Sequence, residues 1–155
     1  MSAPDFDADK AHRWFAAECN NAAWEIIEQP GDLSPAETDA LLHQAHASCF
    51  HWAYAGDALN HLRAYVLLAT AYGRAGRHGD ALHYARTTVE ASDALGDAQA
   101  PFDRATALAA MANALQGAGH NAEAARWRSQ ALEAAALLDA DERTVFEQIF
   151  VSAVV

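Results

Sequence analysis

The chain has 155 residues, a formal net charge of −11 and a single lysine, Lys10. That length suits one domain with one substantial core. No basic stripe is present to neutralise a phosphate backbone or meet an anionic bilayer, so nucleic acid and membrane surfaces are excluded as expected partners. Apolar residues make up 52% of the chain, which places it among ordered globular proteins rather than disordered ones. Alanine dominates that share, and valine and isoleucine are few before the last dozen residues. Such a bias favours closely packed helices over sheets. The opening MSAPDFDADK is acidic and lacks an apolar run, so no secretory signal is expected, and no stretch approaches the ~18 apolar residues that span a bilayer. Cys19 and Cys49 stand far apart among helical residues and are expected to be reduced, buried thiols in a cytoplasmic protein.

Seven helices are expected in one all-α domain. The first runs from about Asp7 to Gln29 and is broken by QPGDLSP, which combines Pro30, Gly31 and Pro35. Ser34 caps the second, with Pro35 at its first position and Glu37 completing a capping box. It continues to Tyr54 and stops at Gly56. Asp57 caps a third helix ending near Ala75, and GRHGD turns the chain into a fourth, DALHYARTTVEASDAL, closed by Gly96. Pro101 or Asp103 opens a fifth helix running to Gln116. GAGHN is the next turn, and the sixth helix covers AEAARWRSQALEAAALL. Asp139 or Asp141 caps a short seventh helix ending near Val154. The expected divisions are a helix pair over 1–57, two hairpins over 58–138 and a C-terminal capping or association helix over 139–155.

An internal repeat is the most informative feature. RAYVLLATAYGRAGRHGDALHYA aligns with TALAAMANALQGAGHNAEAARWR at a shift of 43 residues, so that Gly76 falls on Gly119 and Ala81 on Ala124. Ala69 meets Ala112, Tyr72 meets Leu115 and Leu68 meets Met111. Small residues recur where helices approach closely and large ones where the gap between neighbours is filled. A two-helix unit of this length implies stacked antiparallel hairpins. At these positions the chain resembles the tetratricopeptide repeat: a large–small pair in the first helix, a large or aromatic residue three positions later, a glycine turn, and an alanine opening the second helix. The period is longer than that family's usual one, and Ala85 and Arg128 stand where it places a large aromatic. The resemblance covers roughly residues 58–138 and implies a right-handed array whose concave face is lined by the first helix of each pair. It places Arg63, Val66, Thr70 and Arg74 on that face from the third helix, and Thr106, Ala109, Asn113 and Gln116 from the fifth. Helical spacing puts each set on one stripe. Arg63 and Arg74 are then either carboxylate-recognising groups of a groove or charges that balance neighbouring acids. The expected function is a non-catalytic protein- or peptide-binding module that needs no cofactor.

Further polar groups raise alternatives. On the second helix, Asp39, His43 and His46 are spaced by four and then three residues, a set chemically competent for zinc or iron. Glu18, on a stripe with Asn21 and Glu25, is expected to be partly buried, either paired with a neighbouring cation or acting as a base or ligand. Together these residues support an alternative reading as a metal- or small-molecule-binding protein, a hydrolase included. No H-E-x-x-H, C-x-x-C, phosphate loop or dinucleotide fingerprint accompanies them. His51 is expected to meet Asn60 and Arg63 in a polar cluster that either sets a helix angle or binds an anion. HASCFHW, residues 46–52, is similar to a HASxxHW segment of small uncharacterised bacterial helical proteins, a resemblance that carries no activity. The apolar residues of VFEQIFVSAVV spread around much of a helix, so this end is expected to self-associate, most simply as a two-fold dimer.

Overall fold

A computed structural model describes residues 6–151. Within that span the chain forms seven α-helices and no strand: α1 Ala8–Ile27, α2 Pro35–Ala55, α3 Ala58–Arg74, α4 His78–Leu95, α5 Pro101–Gly117, α6 Asn121–Ala135 and α7 Ala140–Phe146. A π turn over Glu147–Val151 continues α7. Most starts are fixed by local chemistry. Asp7 accepts from the Lys10 amide, and Ser34–Glu37, Asp57–Asn60 and Asp139–Glu142 form reciprocal capping boxes that satisfy otherwise orphaned amides. α5 opens with Pro101 at its first position and no side-chain cap, which leaves Asp103 for another task.

The repeat seen in the sequence is reproduced in backbone detail. Gly76 and Gly119 adopt φ of 70° and 84°, the left-handed conformation that ends a helix. In each turn the amide after the glycine reaches back to the third-last helical carbonyl, Arg77 to Tyr72 at 2.9 Å and His120 to Leu115 at 2.9 Å. Both turns are therefore Schellman motifs, and both are followed by an alanine, Ala81 or Ala124, buried against the preceding helix.

Helices α1/α2, α3/α4 and α5/α6 pair as hairpins. α3 packs against both α1 and α5, while α2 meets α3 and α4 meets α5 to join successive pairs. Alanines at the crossings, among them Ala23, Ala45, Ala71, Ala81, Ala85 and Ala105, are fully buried. Their small side chains let helix axes approach closely, and Leu41, Leu67, Leu68 and Tyr72 fill the space beside them. The repeat units diverge at Ala85 and Arg128 for a reason visible in the packing. α4 lies between two hairpins, so Ala85 is buried; α6 belongs to the last hairpin, and Arg128 stays partly solvated.

Of the apolar residues in the C-terminal segment, Phe146 and Phe150 are 1% and 3% exposed. They join a second core cluster with Leu62 and Val66 of α3, Ala105 and Ala109 of α5, and Ala131 and Ala135 of α6. Phe150 also meets Trp24 of α1, ring edge to face at 6.2 Å. The C-terminal segment therefore packs on α5 and, through Phe150, reaches α1. Of the apolar surface expected for association, Val145 is the large side chain left exposed among the described residues, and Val154 lies outside them.

Candidate functional site

The face built by α1, α3 and α5 carries most of the residues expected to line a groove, and the structure gives each a partner. Arg63 extends from α3 to α5 and grips Asp103 with two parallel bonds, Nε to Oδ1 at 2.7 Å and Nη2 to Oδ2 at 3.0 Å. The side chain of Arg63 is 55% exposed and that of Asp103 only 2%. The arginine is the solvated lid of a buried carboxylate, and its hydrogen bonds to Asp103 push the Arg63 pKa up. Arg74 turns the other way, donating to the carbonyls of Ile27, Gln29 and Gly31. It neutralises the negative end of α1 and pins the loop after it. Thr70 bonds back to the Val66 carbonyl at 2.8 Å. Thr106 is 4% exposed and donates to the Asp103 carbonyl, so it does not face an open groove.

Asn113 and Gln116 form a connected set with Arg128. One guanidinium nitrogen of Arg128 donates to Asn113 Oδ1 at 3.2 Å and Gln116 Oε1 at 2.6 Å. With its oxygen so engaged, Asn113 turns its amide nitrogen toward the π turn after α7 and donates to the Phe150 carbonyl at 3.1 Å. Asn113 and Gln116 of α5 thus bond within the chain, and Asn113 meets its C-terminal segment.

The polar cluster expected around His51 does not form. His51 shares an Nδ1–Nδ1 hydrogen bond of 2.8 Å with His12 of α1. Asn60 caps its own helix through Asp57, and Arg63 is held by Asp103. Partial burial and the neighbouring His12 hold the His51 pKa below the ordinary imidazole value. Glu18 is exposed rather than partly buried, because its stripe on α1 faces solvent. Around His12 and His51, Phe15, Phe50 and Tyr54 complete an aromatic group, with the Tyr54 ring stacked on His12 at 4.8 Å.

Asp39, His43 and His46 also separate. Asp39 and His43 are exposed, and His46 shares a 2.7 Å hydrogen bond between Nε2 and the Tyr72 hydroxyl. Tyr72 stacks on Tyr84 at 5.5 Å, and Arg77 lies 5.0 Å from the Tyr72 ring centre in a cation–π contact. Burial, Arg77 and His43 together lower the His46 pKa, so this imidazole is neutral near pH 7. Among the described residues, no three His, Cys, Asp or Glu side chains gather in a group able to hold a metal ion.

Three important residues escaped the sequence reading. Asp103 looked like a helix cap because it sits in a first turn; its one further signal is its alignment with Asn60 under the 43-residue shift. Arg128 registered only as a departure from the repeat. Trp24 carried no spacing signal at all, because its partner Phe150 comes from the far end of the chain. Among the described residues no helix is long and apolar enough to cross a membrane. No protein-family model matches the chain, no curated protein is detectably similar to it, and no solved structure matches it.

Proposed function

We propose that this chain is a tetratricopeptide-like helical-repeat module that binds a protein or peptide, without catalysis, on the side formed by α1, α3 and α5. The observation that carries this reading is the repeat itself. Two hairpins share the same Schellman turn, the same buried alanine after it and the same large–small pairs, and stacking them sets one helix of each pair along a common side. Such a side offers an extended apolar seat, here Trp24, Leu62, Val66 and Ala109, bordered by the polar Asn113 and Gln116. Helix-in-groove recognition needs that combination of apolar floor and polar edge. The proposal places the protein in the cytoplasm, where Cys19 and Cys49 remain thiols. Burial raises the pKa of both, so they stay protonated at neutral pH.

Selection of peptides from a displayed library against the immobilised chain tests this reading. Selected peptides are expected to shift amide resonances of α1, α3 and α5. Failure to enrich any peptide, or shifts confined to α2, α4 and α6, would overturn it.

A further inference from the structure

The proposed groove already holds a helix. Residues 140–151 leave α6 through a short loop in which Leu137 is exposed, then cross the face toward α1. A helix that merely capped the last hairpin would meet α5 and α6. This one carries Phe150 to Trp24, two hairpins away from where the chain leaves α6. Phe146 and Phe150, four residues apart, stack at 5.8 Å and are both buried in the core cluster that includes Leu62, Val66 and Ala109. Phe150 also supplies a main-chain carbonyl to the contact. Asn113 donates to it, and Arg128, by occupying the Asn113 oxygen, fixes the amide in the donating direction. Apolar pockets for two side chains and an oriented donor for one main-chain carbonyl are the parts of a peptide-binding site. Arg143 ties the segment to the Ala136 and Leu138 carbonyls at the exit from α6, and α7 by itself is seven residues long, too short to hold helical form alone.

We propose that the α1–α3–α5 groove is a receptor for an amphipathic helix bearing two aromatic residues four positions apart, and that residues 140–151 are a resident occupant which any such partner displaces. This rests on the module reading above and names the ligand class of the same face. Tethering gives the resident segment a high effective concentration, so an outside helix competes at a disadvantage that grows as the tether shortens. The groove is therefore closed by default and opens to partners that match or exceed the chain's own segment.

The experiment uses a fluorescein-labelled synthetic peptide of residues 138–151 and three full-length chains: the natural one, one with a flexible Gly/Ser insertion after Leu137, and Phe146→Ala/Phe150→Ala. The insertion changes no buried residue, so it remains informative if the double substitution impairs folding. Fluorescence anisotropy is expected to show the weakest binding to the natural chain, severalfold tighter binding to the extended chain, and about tenfold or more tightening with the double variant. Asn113→Ala added to the Phe146→Ala/Phe150→Ala chain, where the resident segment no longer competes, should weaken binding severalfold, and a peptide lacking both phenylalanines should not bind. Dimers of the extended chain formed by exchange of the segment would also support the proposal, since they require the groove to accept it in trans. Equal affinity of the natural and extended chains, or no binding to an extended chain of natural helicity, would overturn it. If selected peptides bind α1, α3 and α5 while this peptide does not, the module reading stands and the resident-occupant proposal fails.

Discussion

Arg63 and Asp103 form an ion pair whose partners sit in different media, and the asymmetry sets what each contributes. Removing the half-exposed arginine leaves a buried carboxylate without its cation, while removing the carboxylate leaves an arginine that turns to water. Arg63→Ala should therefore cost about 2–3 kcal/mol, and Asp103→Ala less, in urea denaturation. A double-mutant cycle isolates their coupling, and equal losses would refute the asymmetry. The histidines act at the same scale. His46 and His51 have folded-state pKa values below that of a free imidazole, about 6.5. Between the depressed and the free value the unfolded chain holds more protons, so stability is full above that range and falls as pH drops through it. The urea midpoint should decline from pH 7.5 to 5.5, and His46→Gln/His51→Gln should flatten that decline. An unchanged slope in the double variant would show that these rings are not its source. None of their partners was legible in the sequence. Both histidines lie on α2, but Tyr72 and His12 are 26 and 39 residues away from the histidines they bond. Local periodicity holds no information about contacts at that distance.

Helices and turns were the most legible level. Caps, proline positions and glycine stops are satisfied within about four residues, so their signals survive whatever the rest of the chain does. Gly76 and Gly119 are the clearest case, since an L side chain in the left-handed region meets its own backbone. Gly76→Ala and Gly119→Ala should each destabilise by about 1 kcal/mol. Because the two turns lie in separate hairpins, the double variant should lose the sum, and thermal or urea unfolding measures it. A loss well short of additivity would mean the hairpins do not unfold together. Asp103 marks the limit at this scale. An aspartate in a first turn is so commonly electrostatic complement to the helix end that its burial beneath Arg63 left no trace in the local pattern.

Across the whole molecule, the alanine-rich hairpins stack through neighbours, and residues 140–151 add the contact that links the last hairpin to the first. Ending the chain after Asp139 would uncover Trp24, Leu62, Val66 and Ala109 together. The shortened protein should bind the dye ANS more strongly than the full chain and self-associate in sedimentation velocity. Dye binding equal to that of the full chain would show that the segment covers no substantial apolar surface. The apolar pattern of VFEQIFVSAVV marked this segment as needing a cover, and helical spacing alone cannot distinguish a second copy from the chain itself.

The sequence by itself determined the all-α class, the helix count, the caps, the glycine turns and the 43-residue repeat. Each depends on residues close together in the chain or on self-similarity. Only the tertiary structure decided which polar groups meet: Arg63 with Asp103, His51 with His12, His46 with Tyr72, and Asn113 with the Phe150 carbonyl. It alone also showed that Phe146 and Phe150 are buried within the chain, Phe150 against Trp24 of the first helix. Such contacts follow from the rise and crossing of whole helices. Small changes in those angles carry a distant side chain into or out of reach without altering any local signal.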